Sequence, residues 1–427
     1  MTDAPSSNRR DPYAVLRNRN VLFFLLGRVI ASLGQQMVAV AVGWDIYERT
    51  HSAWCLGLVG LCGFLPMVVM TLPAGHVADT RERKQVILAM QVLMALASLG
   101  LALNAYWRGP AATIYLCLLV ASTARTFLWS ATASFLPTLV SREDFPQAIT
   151  WATSSFQFAA TTGPAAIGLL IAITGSATPV YVFNTVAAVV YFILITFVRG
   201  QTKPAASHEF TLETIMGGFR YVFNSPLILA AITLDMFAVL FGGATALLPA
   251  YASDILHVGP QGLGFLRAAL PVGSLCCALY MAHRAPLQKA GCTLLWAVVV
   301  FGLATVGFGW SKSFWFSLVM LFICGFADNI SVIVRHTLVQ LLTPDEMRGR
   351  VSAVNNLFIG TSNELGEFES GAVSGLAARH YGVTGGNVFS VVSGGIATVL
   401  VVAGVAWYWP EMRRFGALVE KEEKSKL

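Results

Sequence analysis

The sequence predicts an all-helical integral membrane protein with twelve transmembrane helices in two halves of six. Three observations predict this: only 12% of the 427 residues are charged, 56% are hydrophobic, and long apolar runs recur along the whole chain. Soluble proteins carry about a quarter charged residues, whereas one bilayer crossing takes about 20 mostly apolar residues. The chain therefore has room for about a dozen crossings.

The apolar runs, separated by Gly, Pro and charged residues, define the expected spans. Spans 1 to 6 are predicted at 20–48, 54–74, 85–107, 112–139, 147–173 and 179–199, and spans 7 to 12 at 227–255, 262–282, 290–310, 314–341, 349–377 and 386–409. Each span is predicted to be a helix, because the short turns between runs of this length leave no other way to satisfy the backbone in lipid.

A sequence repeat indicates the two halves. The stretches "LPTLVSREDF" from Leu136 and "LVQLLTPDEM" from Leu338 each close an apolar run with a turn and two acids, and they lie 202 residues apart. The longest polar stretch between spans, at 200–220, separates the halves. We therefore expect an N-terminal half at 1–199, a linker at 200–225 and a C-terminal half at 226–427.

The bases predict the orientation, because Lys and Arg collect on the cytoplasmic side of membrane proteins. If the first residues are cytoplasmic, 20 of the 28 bases fall inside, and only Arg49, Arg108, Lys312 and Arg379 fall outside. Both termini and the linker are therefore predicted to be cytoplasmic. The net charge of +6 is a topology signal that requires no nucleic-acid partner.

Other compositional signals are negative. The first apolar run is too long for a cleavable signal peptide, so it is expected to remain as span 1. The seven cysteines lie in or beside apolar spans without ligand spacing, which supports neither disulfides nor a metal site. We expect no cofactor, and a monomer in the lipid bilayer.

The stretch "GHVADTRERK" at 75–84 resembles the major facilitator superfamily signature G-x-x-x-D-R-x-G-R-K. Gly75, Asp79, Arg83 and Lys84 match this signature, and Thr80 and Glu82 depart from it. Gly75 would allow a tight exit from span 2. Asp79 would accept hydrogen bonds from a helix N-terminus or an Arg in one access state, and so act as a latch. The alternative is a positively charged inner loop without a gating function.

The stretch "FQFAATTGPAAIG" in span 5 is similar to the Gly-Pro motif of proton-driven exporters, with Gly163, Pro164 and Gly168 in place. Small side chains let two helices approach closely, and the proline bends the helix. Ordinary small-residue packing is the alternative. From about residue 12 to residue 410 the chain resembles the enterobactin-exporter branch of the superfamily, which also includes macrolide efflux proteins.

The lack of a nucleotide-binding motif bears on the energy source for transport. The sequence contains no G-x-x-x-x-G-K stretch, so it has no phosphate-binding loop of its own. We therefore expect a secondary transporter. The resemblance implies proton antiport, which needs a carboxyl group inside the membrane whose protonation changes with access.

Depth ranks the candidate acids. Asp235 lies about nine residues into span 7, about 13 Å deep in a core of about 30 Å, and it is the first candidate. Glu364 in span 11 is the second, and Asp328 in span 10 is also well inside the membrane. Three other acids, Asp45, Glu48 and Asp254, lie near outer ends and are expected to be solvated.

Four bases lie within spans. Arg28 in span 1 and Arg125 in span 4 are deep enough to need a cavity or an acid, and the resemblance implies that spans 1, 4, 7 and 10 line the cavity. Arg335 shares a helical face with Asp328, but, like Arg267, it is near a helix end and is able to snorkel. For every deep charge the alternative is an ion pair that only stabilises the bundle.

The sequence therefore predicts an exporter in the bacterial inner membrane that moves an amphipathic or aromatic small molecule outward against protons. A siderophore is the favoured substrate, because Arg28 and Arg125 suit an anionic catechol or carboxylate. A multidrug, macrolide or lysophospholipid carrier is the alternative. An acyltransferase-like membrane enzyme is disfavoured, since the sequence has no H-x-x-x-x-D stretch.

Overall fold

The computed structural model describes residues 14–141, 143–199, 212–283, 289–344 and 347–416. The predicted N-terminal tail up to residue 13, residues 200–211 of the predicted linker and the C-terminal tail from residue 417 lie outside the described residues. The same holds for the predicted inner bases Arg142 and Arg284 and for the two acids of the second repeat, Asp345 and Glu346.

Six long helices form the N-terminal half. Spans 1 to 6 are Arg19–Thr50, Ala53–Thr80, Arg83–Trp107, Ala111–Phe135, Phe145–Thr174 and Thr178–Phe197. Spans 1, 3 and 5 end at residues in the left-handed region: His51, Arg108 and Gly175. This conformation stops a helix because the next backbone N–H turns back to an earlier carbonyl.

The C-terminal half begins after a helix that the sequence did not predict. The predicted linker contains the helix Leu212–Asn224. Span 7 begins at Pro226, is helical to Phe241, and continues through a 3-10 turn at Ala244–Leu247 and a π turn at Tyr251–Ile255. Spans 8, 9 and 10 are Gly259–Ala282, Ala290–Trp310 and Phe314–Leu342.

Spans 11 and 12 form one helical run of 61 residues, Arg348–Tyr408, which changes direction at Gly382. Its φ of 74° and ψ of 170° are conformations that glycine adopts without strain. The predicted gap at 378–385 is therefore a single-residue break rather than a loop. The short helix Pro410–Arg414 follows.

The described residues are helical and contain no strand, as predicted. Ten helices are long and apolar enough to cross a membrane, and the run Arg348–Tyr408, counted as one of them, contains two predicted spans. The 30-residue helix Phe145–Thr174, predicted as span 5, is not among the ten. The count of twelve spans therefore stays a prediction.

Two groups of exposed aromatic side chains mark the ends of the bundle. Tyr106, Trp107, Trp310 and Trp315 lie at one end, and Trp407 and Tyr408 at the other. Trp and Tyr concentrate at membrane–water interfaces because their rings are apolar and their tips polar. Following the orientation predicted from the bases, we call the first the outer end and the second the inner end.

The buried side chains form three cores. At the outer end one core combines both halves, with Ile46 and Tyr181 packed in the same cluster as Tyr251 and Phe308. Towards the inner end each half has a core of its own, around Phe24 in the N-terminal half and Leu234 in the C-terminal half. The halves are therefore closed against each other at the outer end and separate towards the inner end.

Candidate functional site

One ion pair near the middle of the bundle joins the two halves. Nη2 of Arg125 in span 4 lies 2.6 Å from Oε1 of Glu364 in span 11. The Arg125 side chain is 48% exposed and that of Glu364 is 21% exposed, so the pair borders open space between the halves. These are two of the predicted candidates, and the fold brings them together across 239 residues of sequence.

A second pair lies one helical turn further towards the outer end. Glu367 of span 11 is 3.7 Å from Nη2 of Arg267 in span 8, and Nη1 of Arg267 donates 2.8 Å to the Thr245 carbonyl. Both side chains border a small cleft, whose other walls are mostly apolar and come from spans 1, 2, 7 and 8. Arg267 therefore reaches a cleft between the halves and pairs with an acid there.

The deepest predicted acid is part of a closed ion pair within the C-terminal half. Asp235 of span 7 pairs with Arg335 of span 10, and the two side chains are only 8% and 2% exposed. Arg335 is among the largest fully buried side chains of the described chain, so it does not snorkel to the inner surface. This geometry suits stabilisation of the half more than exchange with a cavity.

Two further candidates have no partner. Arg28 in span 1 is half-buried, and within the described ranges no acid lies within ion-pair distance of it. It lies near Tyr191, whose buried hydroxyl has no hydrogen-bond partner among the described residues. Asp328 in span 10 is also half-buried and has neither an ion pair nor a hydrogen bond to any described residue. Arg28 is thus a deep base whose charge no described acid balances.

Polar contacts close the outer end. The Tyr47 hydroxyl of span 1 donates 2.5 Å to Asp254 of span 7, which joins the halves. Asp45 is buried and accepts two hydrogen bonds from Arg49, at 2.8 and 3.0 Å. The expectation that Asp45 is solvated is therefore wrong, because tertiary contacts cover this helix end, whereas Asp254 is half-buried and Glu48 is exposed as expected.

Small residues let spans 2 and 11 approach across the same boundary. A side chain on Gly60 would meet the Glu364 carbonyl at 2.8 Å, and one on Gly57 would meet the Phe368 carbonyl at 3.0 Å. Gly63 faces the Glu364 carboxyl group itself. This contact holds the Glu364 side chain between span 2 and Arg125.

The Gly-Pro motif of span 5 lies at the matching boundary with span 8. A side chain on Gly168 would lie 2.9 Å from the Pro260 carbonyl and 3.0 Å from Cα of Gly264. Gly163 faces span 1, where a side chain would meet Cβ of Gln36 at 2.9 Å. Pro164 lies inside the helix, and its carbonyl approaches Gly264.

The loop that matches the superfamily signature lies at the inner end. Span 2 continues to Thr80, so Gly75 does not form the exit from the helix as expected; polar residues at the membrane surface extend the helix past its apolar run. Asp79 is half-buried, and the structure gives it no partner among the described residues. Nζ of Lys84 donates 2.8 Å to the carbonyls of Thr196 and Val198, and Arg83 is half-buried with an unpartnered Nε.

Sequence reasoning missed three features of this site. It did not pair Arg267 with Glu367, it did not find the Tyr47–Asp254 contact, and it did not anticipate the break in span 7. The pair Gly242 and Gly243 signals that break, because a side chain on Gly243 would lie 2.7 Å from Oγ of Ser370 in span 11. The other two depend on which helices become neighbours.

Comparison with known proteins identifies relatives over nearly the whole chain. The profile of a family described as "Transmembrane secretion effector" matches residues 10–418. The enterobactin exporter EntS of Citrobacter koseri is 29% identical over 399 residues, which cover 91% of this chain and 92% of that protein. EntS of Shigella dysenteriae is 31% identical over 337 residues, 77% of this chain and 79% of its own.

Solved structures show the same fold at low identity. A bacterial homologue of the human lysosomal transporter Spinster, described as inward-facing and unoccupied, has a TM-score of 0.71 at 14% identity and covers 94% of this chain and 98% of its own. A bacterial homologue of the iron transporter ferroportin, described as inward-facing, has a TM-score of 0.69 at 16% identity and covers 92% and 99%. At these identities the likeness shows a shared fold, whereas the family match and the similarity to EntS place this chain among transporters.

Proposed function

Because the chain belongs to the transmembrane secretion effector family of major facilitator transporters, we propose that it exports an anionic siderophore in exchange for protons. The observation that carries this proposal is the similarity to enterobactin exporters over about nine-tenths of the chain. The proposed setting is a bacterial inner membrane, with both termini cytoplasmic and the protein acting as a monomer.

The unbalanced base Arg28 supports an anionic substrate. A guanidinium at this depth needs a negative charge or water, and the described residues supply no acid to it. A catecholate or carboxylate presents oxygen atoms that match the donors of a guanidinium. We propose that Arg28 holds the anionic group of the substrate when the cavity is open to the inner end.

The Arg125–Glu364 pair supports proton exchange. In this arrangement the outer end is closed, and an ion pair requires Glu364 to be ionised. Opening of the outer end would draw span 4 away from span 11, and the isolated carboxylate would then take a proton from outside. Return to the inward-open arrangement restores Arg125 to Glu364 and releases the proton inside. The direction of proton movement is that of an antiporter.

The proposed coupling role places Glu364 before Asp235, whereas the sequence ranked Asp235 first. Asp235 is already neutralised by Arg335 inside one half, so a change of access that moves the halves as units leaves the pair intact. Glu364 pairs with the other half and has a partner that can leave. Asp328 remains a further candidate, because it is half-buried and has no described partner.

The role proposed for Asp79 is that of an inner latch. The inward-open arrangement leaves this carboxyl without a described partner, as expected for a latch that engages only when the inner ends meet. Lys84, in contrast, donates hydrogen bonds to carbonyls at the end of span 6, so in this state it joins two elements of the N-terminal half.

Substrate exchange in liposomes tests the proposal. The full chain is reconstituted in vesicles that contain an unlabelled triscatecholate siderophore, and the entry of labelled siderophore is followed with and without an excess of a macrolide. We expect saturable exchange that the macrolide does not inhibit. If labelled siderophore does not enter, but labelled macrolide enters vesicles that contain unlabelled macrolide, the alternative of drug efflux replaces the siderophore, and the exchange itself still identifies a transporter.

A further inference from the structure

The helix Leu212–Asn224, between the two halves, packs one of its faces on the C-terminal half. Val222 is fully buried there, and the Phe219 ring lies 6.0 Å from that of Phe358 in span 11. The Tyr221 hydroxyl donates 2.7 Å to the Leu342 carbonyl. This face is part of the inner core of the half.

The helix is held at the inner end of the bundle. Leu342 is the last residue of span 10, and a single residue, Ser225, separates the helix from the start of span 7 at Pro226. The Tyr221–Leu342 hydrogen bond and the one-residue link to span 7 hold the helix at the level where span 10 ends and span 7 begins. It therefore lies where the apolar surface of the bundle meets the inner aqueous side.

The opposite face of the helix is exposed and unusual in composition. Met216 is 62% exposed and Phe223 is 60% exposed, and the exposed Arg220 lies between them. The spacing of four and three residues places these side chains in one stripe along the helix. The described part of the chain supplies no ion-pair partner for Arg220. Two large apolar groups beside one base without a described ion-pair partner suit a membrane surface better than water.

We propose that this stripe binds the inner leaflet, with Met216 and Phe223 among the acyl chains and Arg220 on the phosphate of an anionic lipid. Leu341, near the inner end of span 10, is also exposed. Further exposed bases, Arg413 and Arg414, lie at the same end of the half and favour an anionic leaflet.

The packed face links this lipid contact to span 11. A side chain on Gly218 would lie 2.9 Å from the Arg350 carbonyl, and Phe219 packs on Phe358 of the same span. Both contacts lie on the segment that leads to Glu364. A lipid bound at Arg220 therefore steadies the inner part of the helix that carries the Arg125 partner.

Hydrogen–deuterium exchange of the full chain in vesicles tests this inference without reference to a transported substrate. The segment 212–224 is compared in phosphatidylcholine and in phosphatidylcholine mixed with phosphatidylglycerol. One base at an anionic surface corresponds to about a fivefold preference, so we expect about fivefold slower exchange in the mixed vesicles. High salt should remove the difference, because it screens the surface charge.

Three variants separate the contributions. Arg220→Gln should exchange at the same rate in both vesicles, whereas Arg379→Gln, which removes an exposed base at the outer end, should keep the difference. The double variant Met216→Gln with Phe223→Gln should exchange faster in both. The inference is overturned if the parent exchanges equally in the two vesicles, if Arg220→Gln responds to phosphatidylglycerol as the parent does, or if the double variant matches the parent.

Discussion

The two halves of the molecule treat the charges inside their helices differently. In the C-terminal half, Asp235 pairs with Arg335 and Glu367 with Arg267, so two deep bases are neutralised by acids of the same half. In the N-terminal half, the deep bases Arg28 and Arg125 have no such acid among the described residues. Arg125 is neutralised by Glu364 of the other half, and no described acid neutralises Arg28.

This difference indicates that the two halves have different roles in transport. A half whose charges are paired internally keeps its structure in every access state, because its pairs move with it. A half with unpaired bases depends on whatever lies across the cavity, which is either the other half or a substrate. We infer that the ion pairs within the C-terminal half stay intact during the change of access, whereas the bases of the N-terminal half change partners.

The largest expected effect comes from breaking the buried pair of the C-terminal half. Asp235→Asn leaves Arg335 buried without a counter-charge, which should cost about 3–5 kcal/mol of stability. The double variant Asp235→Leu with Arg335→Met removes both charges and should recover most of that loss. Thermal unfolding of the purified proteins measures both. If Asp235→Asn unfolds like the parent but loses gradient-driven transport, Asp235 is the coupling acid and the order proposed above is wrong.

The next effect concerns the pair between the halves. Glu364→Gln keeps the shape but cannot ionise, so siderophore exchange should continue while accumulation driven by a pH gradient is lost. For one proton per substrate, a gradient of one pH unit supports about tenfold accumulation, and the variant should show none of it. Glu369→Gln is the matched control, because Glu369 lies on another face of the same helix. Full gradient-driven accumulation by Glu364→Gln would leave Asp235 and Asp328 as the remaining candidates.

A smaller effect is expected at the unpaired base of the N-terminal half. Arg28→Gln should weaken binding of an anionic siderophore by about tenfold or more, the usual contribution of a hydrogen bond to a charged group. Arg28→Lys should retain part of the affinity, and binding of a neutral analogue should change little. Equilibrium binding to the purified protein measures all three. Equal losses for anionic and neutral ligands would mean that Arg28 only supports the fold around Tyr191.

The smallest effect concerns the contact that joins the halves at the outer end. Tyr47→Phe removes one hydrogen bond, about 1 kcal/mol, and should shift the access equilibrium about fivefold towards the outward-open state. Spin labels at residues 51 and 257, one in each half, report this as a larger share of long distances. Asp79→Asn should shift it the opposite way if Asp79 latches the inner end. An unchanged distance distribution in Tyr47→Phe would show that helix packing alone closes the outer end.

Much of this fold can be predicted from the sequence, through its hydrophobic content and the positions of Gly, Pro and charged residues. The helical class, the membrane location and most helix ends follow from apolar runs, since a chain in lipid must form its hydrogen bonds within each run. The exceptions are informative. Span 2 extends to Thr80 past its apolar run, and the helix Leu212–Asn224 has an apolar face too short to be read as a span.

Part of the candidate site could be predicted from the sequence for the same reason. Deep charges are few in an apolar sequence, so Arg125, Glu364, Asp235 and Arg335 were identifiable as a set. Their partners were not, because a depth along one helix carries no information about the helix that will face it. The Asp235–Arg335 pair depends on the packing of span 7 on span 10, and the Arg125–Glu364 pair depends on how the halves meet.

Helix identity and depth are therefore local properties that this sequence determines by itself, through the length and polarity of each run. The pairing of charges, the burial of Asp45 at a helix end and the stripe of Met216, Arg220 and Phe223 left facing outward are decided only by tertiary structure. The physical reason is that ion pairs act over a few ångströms, whereas the residues that form them here are separated by up to 239 positions and are brought together only when the bundle packs.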